Sequence, residues 1–168
     1  MDSLLDGMAK FYSRNLAREV EKGKRENALK CRHVGGIPPL GYEVDAKSKK
    51  LVVNEREAQA VRMIFAMYND GFSYTGILKE LNSCGYQIKR DGKFGKNSPY
   101  EILKNEKCIG VYTYNKSAAK GIDGKYNRHS CKGDSEIIRI ENGIPAIIDK
   151  AILGAGKDEM DAASFRRT

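Results

Sequence analysis

The stretch Met8–Tyr42, MAKFYSRNLAREVEKGKRENALKCRHVGGIPPLGY, limits the possible folds more than any other part of the chain. Leu4 or Leu5, Met8, Tyr12, Leu16 and Val20 recur every three or four residues, the spacing of one helix face. Lys10, Arg14, Arg18 and Lys22 recur every four and stack cations along another face. Like charges at this spacing repel by about a few tenths of a kcal/mol per pair, a cost that a polyanion would reverse. Past Val20 the apolar stripe stops, while Lys24, Arg25, Lys30 and Arg32 continue the charge. Gly35, Gly36, Pro38 and Pro39 then forbid further helix. The pattern predicts a support helix leaving its packing partners, then an extended arm over residues 32–42 laid along nucleic acid. A solvated basic face followed by a rigid linker is the plainer alternative.

With 168 residues there is room for one ordinary domain, with or without a helical appendage at each end. The net charge of +8 points to an acidic partner, nucleic acid first and an anionic membrane surface second. No run of about 18 apolar residues exists to span a bilayer. The N-terminus lacks the basic start and apolar centre of a signal peptide, so a cytoplasmic location is expected. Four cysteines stand far apart with no Cys-x-x-Cys pair, as expected of unpaired thiols in a reducing compartment. Cys31-x-His33 and His129-x-Cys131 offer four zinc ligands by type, but their one-residue spacing is tighter than usual. No metal and no cofactor is expected.

After the arm, Tyr42–Val53 predicts a hairpin with a basic tip at Lys47–Lys50. Asn54 caps a helix with Glu57 at the third position, a capping-box variant. That helix buries Ala58, Val61, Ile64, Phe65 and Tyr68 and stops at Gly71. Ser73 opens a second helix, with Ile77, Leu78 and Leu81 inward, Gly76 allowing a close helix crossing and Gly85 at its end. YQIKRDGKFGKN then reads as strand to Arg90 with an Asp91–Gly92 turn, carrying Lys89, Arg90, Lys93 and Lys96. Ser98, Pro99 and Glu101 predict a short helix capped by the serine, with Ile102 and Leu103 inward. Cys108–Tyr114 reads as a strand, 116–134 as a loop or hairpin, and Glu136–Ile148 as β structure around an Asn142–Gly143 turn. From Asp149 a weak helix start leads into a tail.

Helix, glycine-ended turn, helix, basic linker and capped helix together suggest a helix-turn-helix variant elaborated with β-hairpins, an α+β fold. In such modules the N-terminal end of one helix enters the major groove. Lys96, Asn97, Ser98, Tyr100, Lys104 and Asn105 cluster at the third helix, where Asn suits adenine and Lys suits guanine or phosphate. Arg32 and His33 stand before the arm, where they could reach into a minor groove. The candidate DNA-binding set is completed by Lys22, Lys24, Arg25, Lys30, Gly35, Gly36, Pro38, Pro39, Tyr42, Lys89, Arg90, Lys93 and Arg128.

FYSRNLAREVEKGKRENALK, GGIPPLGY, VNEREAQAVRMIFAMY, SYTGILKELNSCGY, FGKNSPYEILKNEKCIGVYTYNK and IIRIENGIPAIID together resemble the DNA-binding segment of large serine recombinases. The resemblance runs from about Ser3 to Lys150 and implies four parts. Residues 1–31 are a helix leaving a catalytic domain, 32–42 a minor-groove arm, 43–150 the DNA-binding domain and 151–168 a tail. It implies duplex DNA, one half of an attachment site, as partner, with other recombinase subunits reached through domains this sequence does not contain. Neither the family's catalytic serine domain nor its zinc ribbon is recognisable.

Nothing else in the sequence predicts catalysis. Ser13 lies beside Arg14 and Arg18, but no general base accompanies it. Nine tyrosines come without a His-x-x-Arg constellation, and no carboxylate pattern suits a metal nuclease. No small-molecule substrate is implied. A winged-helix transcriptional regulator is the alternative reading, and an RNA-binding or scaffold protein the third.

Overall fold

A computed structural model describes residues 2–116, 132–133 and 135–151. Helix α1, Asp2–Leu29, is the long entry helix. Among the described residues its apolar stripe is uncovered: Leu5, Met8, Phe11, Tyr12, Leu16 and Val20 are all exposed, Tyr12 at 77%. Only its last turns dock, where Ala28 is wholly buried. The Arg32 amide bonds the Asn27 carbonyl and the Cys31 amide that of Ala28, so the helix closes through a left-handed Cys31 at φ 54°. Glycine usually fills that position.

Strands β1, Tyr42–Val44, and β2, Leu51–Val53, form the expected antiparallel hairpin, pairing Tyr42 with Val53 and Val44 with Leu51. Asp45 folds the tip by accepting both the amide and the hydroxyl of Ser48. Those two bonds hold its carboxyl below the usual carboxylate range.

Helix α2, Glu55–Asn69, buries Ala58, Ala60, Val61, Ile64 and Phe65, with Tyr68 half-buried. Asn54 caps it by accepting the Glu57 amide at 3.4 Å. Glu57 does not complete a capping box, because its carboxylate accepts the Gly41 amide instead, at 3.0 Å. Gly71, at φ 83°, ends the helix, and Ser73 caps helix α3, Tyr74–Ser83. Gly76 is not what lets helices cross. A Cβ there would meet only Ser73 and Phe72 at ordinary contact distances.

The predicted strand after Gly85 is a loop. Ile88 and Gly92 close a tight turn through Asp91 at φ 55°. Asn82 then holds the Phe94 backbone by accepting its amide at 3.0 Å, and Phe94 is buried. Helix α4, Ser98–Leu103, begins one residue earlier than expected, with Asn97 rather than Ser98 at the cap position and making no side-chain cap bond. The Ser98 hydroxyl accepts the Gly95 amide instead, at 3.1 Å. Helices α2, α3 and α4 contact one another pairwise and form the core with the first hairpin.

Cys108 and Ile109 fall in a single 3₁₀ turn, Glu106–Ile109, so the strand expected from Cys108 shortens to β3, Tyr112–Tyr114. It pairs antiparallel with β4, Ile138–Ile140. Beyond Asn142–Gly143 no second strand follows. Ile147 and Ile148 both donate their amides to the Cys108 carbonyl, and with Ile144 they plug the core. Gly143 lies where the end of α1 abuts this hairpin; a Cβ there would sit 2.7 Å from Cys31 Sγ. The fold is α+β, as expected. The predicted loop at 116–134, apart from Lys116 and residues 132–133, and the tail after Ala151 lie outside the described residues. Among the described residues no helix is long and apolar enough to cross a membrane.

Candidate nucleic-acid interface

The glycine–proline arm is a strap fastened at both ends. At its start, the Arg32 carbonyl accepts the Tyr112 hydroxyl at 2.7 Å, Arg32 bridges to Lys50, and the His33 amide donates to Lys49. At its finish, Gly41 carries φ 89° and lies so close to Ile147 and Val61 that no side chain fits. The Gly41 carbonyl accepts the Asn54 amide while Glu57 takes the Gly41 N–H. Between the ends, Gly35, Gly36 and Ile37 are exposed, and Pro38 and Pro39 half-buried. The His33 ring stays local, with Nε2 donating to the Gly36 carbonyl at 3.1 Å.

This strap lies beside the leading end of α4. A groove of about 480 Å³ separates them, lined by Ile37 and Leu40 from the strap, Ile88 and Arg90 from the loop, and Asn97 and Ser98 from the helix. Arg90, Lys93, Lys96 and Asn97 are exposed here. On another side, Arg18, Lys22 and Arg25 of α1 face Tyr114 and Asn115 across a hollow of about 270 Å³. Lys22, Lys24, Arg25, Lys30 and Arg32 are exposed as well. Among the described residues none of these cations forms an ion pair with a carboxylate.

Other members of the expected set are used inside the protein. Tyr42 is wholly buried, and its hydroxyl donates into a notch between the Lys107 and Pro145 carbonyls, at 2.7 and 2.8 Å. Its side chain belongs to the core, not to the exposed surface where a contact was expected. Lys89 is half-buried and pairs with Glu57 at 2.7 Å. Asn105 caps the 3₁₀ turn by accepting the Lys107 amide at 3.1 Å. Ser98 is held by Gly95, as described above. Tyr100 is exposed but not loose: its ring meets Tyr74 edge-on at 6.2 Å. Lys104 donates to the Tyr100 hydroxyl at 2.8 Å, with its ammonium 4.9 Å from the ring centroid. Arg128, His129 and Cys131 lie outside the described residues, so only half of the weighed zinc set is described. In that half, Cys31 packs against Gly143 while His33 bonds to Gly36.

Sequence reasoning missed the Glu57–Gly41 bond, the Asn82 brace on Phe94, and the apolar lining from Ile37 and Leu40. The two arm residues stood in the motif, but nothing local marks which side of an extended segment faces a groove. The other partners are distant in sequence and carry no periodic signal.

A three-helix core with a glycine-ended turn, a strap pinned beside its third helix and exposed cations around both is the build of a helix-turn-helix module with an appended arm. The chain belongs to the Recombinase family: that family's model matches residues 55–161. Two solved structures share its fold. A crystal structure of a large serine recombinase–DNA complex superposes with a TM-score of 0.62 at 18% identity, over 87% of this chain and 39% of that one. A structure from work on the sequence requirements of the Listeria innocua prophage attP site gives 0.60 at 17%, over 85% and 51%. The chain thus spans about half the length of these proteins or less.

Proposed function

We propose that this chain binds duplex DNA as the module of a serine site-specific recombinase that recognises one half of an attachment site. The observation that carries this reading is the shared groove: strap and α4 leading end face one concavity, with exposed Arg90 and Asn97 on its lining. Family membership supports it, as does the fold shared with a recombinase–DNA complex. In this reading the N-terminal end of α4 enters the major groove and the strap follows the adjacent minor groove. The cations of α1 and of Arg32 neutralise phosphates and fix register without reading sequence. DNA cleavage belongs to a catalytic domain in this reading, since Ser13 stands on a well-exposed helix, with Lys10, Arg14 and Arg18 near it in the sequence, rather than in an enclosed site.

Selecting bound duplexes from a random-sequence library tests the reading. One enriched half-site is expected, with affinity falling steeply as salt rises, because bound cations release condensed counterions. Substituting Lys24, Arg25 or Arg32 lowers affinity for all sequences alike. Asn97→Ala changes the preferred sequence by ~1–3 kcal/mol at one position. A library that emerges without an enriched motif would sink the proposal.

A further inference from the structure

Lys89 and Glu57 form the ion pair whose two side chains are both mostly covered, at 18% and 22% exposed; in every other pair among the described residues one partner is open to water. The same carboxylate oxygen accepts the Gly41 amide, and the Lys89 ammonium also donates to the Tyr42 carbonyl. Three separate parts of the chain therefore meet at one point. Glu57 comes from the first turn of α2, Gly41 and Tyr42 from the end of the strap, and Lys89 from the loop that leads to α4. Both Lys89 and its neighbour Ile88 line the groove between strap and helix, but the Lys89 ammonium is turned to the carboxylate and the carbonyl.

We propose that Lys89 and Glu57 are a positioning pair that sets the strap at the angle where strap and α4 read the same stretch of duplex. This rests on the DNA-recognition reading above and changes the part Lys89 plays in it. A lysine turned outward to a phosphate would leave a mostly covered carboxylate without its counter-charge, which is strongly unfavourable. The ammonium instead points at the carboxylate and at a carbonyl, both protein groups. Gly41 cannot drift to compensate, because Ile147 and Val61 hold its backbone in place. The pair thus governs how the strap leaves the core, and through that the geometry of base contacts.

The test uses the whole chain, the duplex it selects from a random library, and a scrambled duplex of equal length. Affinities for both are measured from about 50 to 200 mM salt, the range over which phosphate contacts declare themselves. Lys89→Met and Glu57→Gln are each expected to cut the preference for the selected duplex about tenfold, the scale of one lost base-pair contact. The salt slope stays as in the unaltered chain, and Lys89→Arg keeps most of the preference. Glu57→Gln conserves shape, so it carries the test if Lys89→Met unfolds in a circular-dichroism melt. A salt slope about 0.9 shallower in Lys89→Met, with preference intact, would make Lys89 a phosphate contact and overturn the proposal. So would Glu57→Gln tightening both duplexes equally, as expected if it released Lys89 toward DNA. Variants indistinguishable from the unaltered chain would also overturn it. A chain that selects no duplex at all defeats the DNA-recognition reading itself, an outcome visible before any variant is made.

Discussion

At Gly41 the backbone takes φ 89°, and a Cβ there would lie 2.5 Å from Ile147 Cδ1 and 3.2 Å from Val61 Cγ2. Gly36 has a similar φ of 83° but open space around it. The two glycines therefore separate conformation from packing. Gly36→Ala should lose ~1–2 kcal/mol, the left-handed penalty alone. Gly41→Ala should lose that plus ~1–3 kcal/mol of overpacking. Denaturant titrations of both variants measure the gap, and equal losses would mean that the core does not close on Gly41. Both glycines were visible in GGIPPLGY, but their difference was not, because Ile147 lies far along the chain. Tyr42 shows the same limit. An aromatic beside a basic arm looks like a ligand contact, and only the Lys107 and Pro145 carbonyls around its hydroxyl reveal a core anchor.

Among the elements, α1 and α4 invert the usual link between length and burial. The 28-residue α1 keeps Leu16 at 65% exposed, whereas the 6-residue α4 buries Leu103 to 4%. Leu16→Ala should change stability by less than about 0.5 kcal/mol, as at other surface sites. Leu103→Ala should cost ~2–5 kcal/mol through the cavity it leaves. Denaturation midpoints decide between them, and a large loss at Leu16 would mean that the stripe is covered by something. Periodicity made α1, α2 and α3 legible, down to most buried positions of α2. It could not say that one stripe is covered and another bare, since pattern records a face and not its partner. The strands expected after Gly85 and Asn142 failed for a related reason. Short apolar runs look alike whether they pair in a sheet or plug a core, and Ile147 and Ile148 do the second. At α4 the helix itself was legible but its start was placed one residue too late, and no side chain caps it, because the Ser98 hydroxyl accepts the Gly95 amide instead.

For the whole molecule, burial of weakly acidic groups sets the upper pH limit. Burial pushes the Cys108 thiol up from 9.0 to about 12, and the Tyr74 and Tyr112 hydroxyls up from 10.0 to about 12. Tyr42 rises further still, again through burial. In the unfolded chain these groups ionise at their ordinary values. Between about pH 9 and 12 the unfolded state therefore holds fewer protons than the folded one, and stability falls as pH rises. Below about pH 9 both states are protonated and the contribution is complete. Lys107 works in the opposite direction, since burial lowers its pKa and favours folding as pH approaches 10.5. Four acids against one base leave the net slope downward. Exposed rings such as Tyr12 ionise without unfolding, but the last share of the tyrosinate absorbance should appear in one cooperative step with the loss of far-ultraviolet circular dichroism. If the full tyrosinate absorbance of all nine tyrosines appeared gradually while the circular dichroism held steady, these hydroxyls would lie open to water. The Tyr42 hydroxyl would then no longer be donating to the Lys107 and Pro145 carbonyls, and the strap would have lost the anchor directly after Gly41 that holds it beside α4.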